Sequence, residues 1–495
     1  MSHHYDVVCL GMSPGILAAA ALLSRRTFRV LVVGEGHRRA RYGYDDLPLL
    51  RKQRPPVGYD TPVFARIRLE LAEDPTWRRR AHALDPMFRL EWRRGKGLSV
   101  PPSLERFLGE VERVDPAERA AVAAYYPELA EVNASMDGLL PSPGVLFESG
   151  LFGRRRKLRA LQELTELYAR VPQGPRGAIG AALRELTHHA APVTSVPPLA
   201  EARLHGSWTR GITRLDGGDD AFSDLLIERI RACGGSVEPG ARATALGTKG
   251  KRITTVSLDD ARPPVQASFV LTASSARAFF RKLPGFSPDA RELGALYLPR
   301  AVKVRTSTSV ALPTSAVPAA WAEECILHHE EELPVRVHVE RGSDGDAPAL
   351  LAVSCDLTPA EVPESRERIL RTLAAAIPAF TRKAWLVDSV HDRAPLWDYR
   401  SGRRVLVPRE ELRDQGATSE EPEPLYAVDG DDPFMGERLE TIVHNAHVVG
   451  PTAMPALGLE GELIAALHVA QIVTKSDRMR EKMRKELWSK LESDS

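Results

Sequence analysis

The chain has 495 residues, 43% hydrophobic and 27% charged. That is too long for one compact domain and too apolar for a disordered chain. Its 67 Lys and Arg nearly cancel its 66 Asp and Glu, for a formal charge of +1, which excludes a chain built as a whole to meet nucleic acid.

Val7, Val8, Cys9 and Leu10 form a short apolar run that reads as a buried strand. The turn Gly11-Met12-Ser13-Pro14-Gly15 follows, then an Ala/Leu-rich helix from Ile16 to Arg26 and a second strand, Val30 to Val33, ending in Gly34-Glu35-Gly36. Strand, glycine turn, helix and strand together have the length of the unit that opens a dinucleotide-binding fold. Residues 84–101 alternate around Arg-Arg-Gly-Lys-Gly and predict a β-hairpin; helical periodicity dominates 104–195. Gly217-Gly218 introduces a helix over Ala221 to Cys233, stopped by Gly234-Gly235. Strands are predicted at 236–247, 252–258 and 265–273, then at 301–311, 334–340 and 349–356. A helix at 364–377, a strand around Ala384 to Val390, an acidic loop over 413–433, a strand at His447-Val448-Val449 and a helix through Val473 complete the reading. Beyond it, Met479, Met483, Leu487 and Leu491 fall on one face of a terminal amphipathic helix, 476–495.

Gly11 to Ile16 stands where a phosphate-binding turn belongs, with small residues that let backbone N–H groups reach an anion at a helix N-terminus. Ser13 occupies the second glycine position of GxGxxG and Ile16 the third, with Gly15 beside it. The same residues spell G-x-S-x-G, the serine-hydrolase elbow, but the residue after the nucleophile must donate an N–H and Pro14 has none. Glu35 stands one position past the place of a ribose-binding acid. His188-His189 and His328-His329 lack a carboxylate at metal-site spacing, and no metal is expected. Four separated cysteines (Cys9, Cys233, Cys325, Cys355) exclude a disulfide framework and fit a reducing cytoplasm. The longest strongly apolar run, Ile16 to Leu23, is far short of the ~20 residues of a bilayer span, and no signal peptide opens the chain. The basic start of the helix over 154–171, and the tail 476–495, are the places where a membrane surface or a partner protein would touch.

The order of segments resembles the phytoene desaturase-like FAD-dependent oxidoreductases, within the group that includes amine oxidases and Rab GDP-dissociation inhibitors. Four places carry the resemblance: Tyr5 to Glu35, the hairpin Leu84 to Pro101, the block from Asp216-Gly217-Gly218 to Ala273, and Val448-Val449-Gly450 through Pro455, Gly458, Leu459 and Gly461. It implies an α/β fold: an FAD/NAD(P)-binding Rossmann-like domain built from discontinuous segments (1–60, 205–285 and 425–475), with a second α+β substrate domain (61–204 and 286–424). It further implies FAD held by Gly11, Ser13, Gly15, Glu35, Ala243, Gly450, Gly458, Leu459 and Gly461, and hydride transfer from an apolar small molecule or lipid. The chain departs from the pattern at Ile16, at Gly34 where the family has Glu, over 36–46 where paired glycines are missing, and at Pro451. Two outcomes follow: an oxidoreductase that holds FAD unusually, or a cofactor-free binding protein of the same fold that sequesters a lipidated or apolar partner.

Overall fold

The structure is a computed structural model and describes residues 4–93, 96–141, 159, 162–175, 177–260, 262–281, 299–329, 332–414, 416, 418–427, 434 and 436–476. The basic run at 154–157 and all but the first residue of the 476–495 tail lie outside the described residues.

The chain opens with strand β1 (His4–Leu10), helix α1 (Pro14–Arg25) and strand β2 (Val30–Val33). Ser13 caps α1 and Pro14 fills its first turn, where no N–H partner is lost. Ile16 to Leu23 is buried all round, so this helix sits inside the molecule. Gly217 and Gly218, both at positive φ, turn the chain into α2 (Gly218–Ala232), and Gly234 at φ 85° releases it. Strands β3 (Ser236–Glu238), β4 (Ala243–Lys249), β5 (Arg252–Leu258) and β6 (Val265–Thr272) follow. Much later come β7 (Ala446–Val448) and α3 (Gly458–Lys475).

These strands form one seven-stranded sheet in the order β4-β5-β6-β1-β2-β3. The inner ladders β6-β1, β1-β2 and β2-β3 are parallel, and β4-β5-β6 is an antiparallel meander. β7 joins β6 in parallel at Val270 to Thr272, on the edge that β5 leaves after Val265 and Gln266. The stretch expected as one strand at 236–247 is two. Pro239 cannot continue a ladder, and the chain turns at Gly240 after pairing with β2.

The second sheet has ten strands, with the long Arg300–Pro313 at its centre. Pro348–Leu357 and Leu386–Asp388 flank that strand, and the predicted hairpin pairs Phe88–Arg93 with Lys96–Val100 at the far end. Glu423–Ala427, expected as loop, pairs with Arg300 to Arg305. Only Leu425 of that strand is deeply buried, which is why no apolar pattern announces it. A hairpin at Arg41–Tyr44 and Leu47–Leu50 lies against this second sheet, with Tyr42, Leu49 and Leu50 in a core shared with Ala311 and Leu386. Helices Leu104–Val114, Arg119–Leu139 and Ala178–Ala190 form a cap. Pro455–Lys475 is long and apolar enough to cross a membrane, yet 89% of that window is buried within the protein, as in a core helix.

Candidate nucleotide cleft and interdomain cavity

The turn after β1 needs Gly11. Its φ is 100°, and a Cβ there would lie 2.7 Å from the Ala273 side chain. Gly450, after β7, approaches the same residue, with a Cβ position 2.1 Å from the Ala273 carbonyl oxygen. Three distant segments thus meet at the carboxyl ends of β1, β6 and β7, the edge where open α/β sheets bind ligands. Gly458 starts α3 at φ 55° with Ala190 of the cap against it, and Gly461 packs on Met454. Leu459 is buried beside Gly58.

The N–H groups of the first helical residues of α1 each have an account. Pro14 has no N–H. Gly15 donates its N–H to Oε2 of Glu462 at 3.1 Å. Ile16 donates to Oγ of Ser13 at 3.4 Å, and Leu17 donates to the Ser13 carbonyl. The Ser13 hydroxyl donates in turn to the Val449 carbonyl at 3.4 Å. Ser13 is therefore a helix cap that ties α1 to the end of β7. Glu462 is buried, and a Cβ on Gly15 would lie 3.0 Å from its carbonyl oxygen, so α3 crosses α1 in contact at this point.

Glu35 and Ala243, both expected at the nucleotide, are brought together and bond to each other: the Ala243 N–H donates to Oε1 of Glu35 at 3.0 Å. Glu35 adopts φ 56° to do so. Gly34, at the end of β2, is pressed onto Pro239; a Cβ there would lie 2.2 Å from the Pro239 carbonyl oxygen. No side chain fits where a ribose-binding acid would stand. The Arg242 guanidinium lies over Gly36, 2.4 Å from its Cβ position. The residues present do not fit FAD in this arrangement. The Gly15 donor expected at its pyrophosphate is held by one carboxylate, the Ala243 donor by another, and an acid at Gly34 is sterically barred.

Glu462 is a residue that sequence reasoning missed. Its signal is a pair of acids, Glu460 and Glu462, in the first turns of an otherwise apolar helix. Such acids read as ordinary complements to the helix dipole. Glu460 does pair locally in space, accepting two hydrogen bonds from Arg203 at 2.7 and 2.8 Å, while Glu462 reaches across to α1.

Two cavities flank this contact. One, of about 240 Å³ between the domains, is lined among others by Lys52, Arg54, His189, Arg305, Glu423 and Glu462. The other, of about 140 Å³, is lined by Met12, Pro14, Arg39, Arg54, Asp219 and Asp220. Arg54 borders both. Burial pulls its guanidinium down, but the carboxylates of Glu462, Asp219 and Glu423 outweigh that and hold it above the ordinary arginine value. Its side chain has no hydrogen bond or ion pair among the described residues, whereas Lys52 is paired with Glu423 at 2.7 Å and Arg305 with Asp356 at 2.7 Å. Burial pushes His189 down to about 3, so its ring is neutral. No group of His, Cys, Asp and Glu among the described residues could hold a metal ion.

No protein-family model matches the chain. No curated protein matches it in sequence. Solved structures do match in shape. An oxidoreductase from Methanosarcina mazei aligns with a TM-score of 0.56 at 15% identity, covering 94% of this chain and 99% of that one. A putrescine oxidase triple mutant, redesigned in cofactor binding, aligns at 0.54 and 15%, covering 96% and 100%. A protein from Pyrococcus furiosus aligns at 0.53 and 14%, covering 94% and 97%. Likeness at this identity establishes the fold: the chain has the two-domain α/β architecture that its resemblance to FAD-dependent oxidoreductases implied.

Proposed function

We propose that this protein uses the oxidoreductase fold without a resident flavin, as a binding protein for a small polar molecule held between its two domains. The observation that carries this reading is the hydrogen bond from the Gly15 N–H to Glu462, which takes a donor that a dinucleotide would use. Arg54 supplies the complementary feature, a cation without a bonded partner that borders both cavities. The charged lining turns the expected ligand from apolar to polar, of a size matched to a cavity of about 240 Å³ and so well below that of a dinucleotide.

A second reading is favoured by the comparisons and by the meeting of Gly11, Gly15, Gly450 and Gly461 at one sheet edge: FAD-dependent oxidoreduction of the desaturase or dehydrogenase kind, close to the phytoene desaturase-like group. It requires Glu462 and Glu35 to surrender their N–H donors. Titration of the purified full chain with FAD, followed by flavin fluorescence and absorption, separates the two. The expected result is no saturable binding. Saturable binding by the unmutated protein would sink the first reading. A thermal-shift survey of small carboxylic acids and amino acids should raise the Tm of the wild type and leave Arg54→Gln unmoved; no stabilising class at all would remove the small-molecule part.

A further inference from the structure

We infer that Glu462 is a tethered substitute for phosphate: its carboxylate occupies the anion seat at the start of α1 and keeps phosphate-bearing nucleotides out. This rests on the cofactor-free reading above but goes beyond it, because it assigns the exclusion to one side chain.

Three observations converge. First, within the first turn of α1 Pro14 has no N–H, the Gly15 N–H is taken by Glu462 and the Ile16 N–H by Ser13, so none of these three is left to an incoming anion. Second, α1 carries no acidic residue in its own first turn. The negative charge its positive end favours is supplied from α3 instead, by a residue 447 positions away. Third, Glu462 is buried at a point where the two helices touch, and Arg54 stands within its Coulombic reach. A carboxylate fixed by the chain thus stands in for a phosphate in two respects, accepting from a backbone N–H and lying within Coulombic reach of a cation. A second anion arriving there would lose the N–H donor and meet a like charge only a few ångströms away.

The experiment compares the full-length wild type with Glu462→Ala and Glu462→Gln, probed with inorganic pyrophosphate and with ADP by calorimetry and thermal shift. The wild type should bind neither at millimolar concentration. Glu462→Ala should bind pyrophosphate and ADP at least about tenfold more tightly than the wild type, and pyrophosphate should restore Tm lost on substitution. Glu462→Gln, neutral but still able to accept from Gly15, should fall between them, and it keeps the test available if the alanine variant does not fold. In the Glu462→Ala background, Glu35→Ala should alter ADP binding and leave pyrophosphate binding unchanged, because Glu35 holds a different donor. Folded Glu462 variants that bind no better than the wild type overturn the inference while leaving the cofactor-free reading in place. A wild type that binds FAD overturns the reading itself. Pyrophosphate binding that shifts with Glu35 instead of Glu462 places the anion elsewhere and also overturns the inference.

Discussion

The two sheets solve burial in opposite ways. In the seven-stranded sheet, Val7 to Leu10 and Val30 to Val33 are buried without a single ionisable side chain except the Cys9 thiol, which burial pushes well up, so it stays neutral. In the ten-stranded sheet, charged side chains are folded inside and matched to one another. Glu324 accepts from Arg214 at 2.7 Å, from Arg336 at 2.8 and 3.0 Å, and faces Nδ1 of His338 at 3.1 Å. Asp388 accepts from the Tyr42 hydroxyl at 2.6 Å and from Arg409 at 3.0 Å. Glu324 and Asp388 thus each accept from several donors, while at the rim of the first sheet Glu462 accepts from the Gly15 N–H and Glu35 from the Ala243 N–H.

The largest effect should come from breaking the second pattern. Arg336→Met removes two of the bonds to Glu324 and leaves a buried charge short of a partner, which should cost about 3–5 kcal/mol in urea denaturation. A loss below ~1 kcal/mol would show that the network is solvated in solution and erase the contrast.

Acid sharpens the comparison by timing. Burial pushes His447 and His468, in the domain of the seven-stranded sheet, down to about 4, and His189 and His205, outside that sheet, down to about 3. For Glu324, burial opposes and the Arg336 and His338 partners outweigh it, lowering the carboxyl to about 2. All these groups bind protons more readily when unfolded. The stability from the histidines is complete above pH ~6.5 and is lost as pH falls towards 4 and 3. That from Glu324 is complete above pH ~4.5 and is lost only towards pH 2. Stability should therefore decline already between pH 7 and 5, with Glu324 taking no part. Replacing His447 by Phe and His468 by Leu should recover about 3 kcal/mol of the loss at pH 5.5, read from urea curves at several pH values. An unchanged slope would show that these rings are hydrated.

A smaller effect tests the rim. Gly34→Ala drives a methyl to 2.2 Å from the Pro239 carbonyl oxygen and should cost about 1–3 kcal/mol by denaturation. A neutral result would mean that room for a ribose-binding acid exists, and the cleft would no longer be closed on that side.

The first sheet was legible because its first two strands are continuous apolar runs and its turns need glycine; Val7 to Leu10, Gly11, Gly217-Gly218 and Gly234 each carry a local reason. The strand Glu423–Ala427 was not, because its pairing with Arg300 to Arg305 buries one apolar side chain deeply and leaves no alternation to read. The split of 236–247 was half visible: Pro239 stands in the sequence, but only β2 decides that the three residues before it pair in parallel. At the cleft, the sequence supplied the glycines, Ser13, Glu35 and Ala243, yet not that Glu35 and Ala243 would satisfy one another.

By itself, then, the chain determined where strands turn into helices and which segments are apolar enough to be interior, since propensity, capping and steric freedom act over a few residues. It also carried the absence of an acid at Gly34. What only the tertiary structure decided is the occupant of the anion seat. Gly15 and Glu462 are 447 residues apart, and a hydrogen bond between them depends on how α3 crosses α1, a consequence of packing that no local pattern encodes.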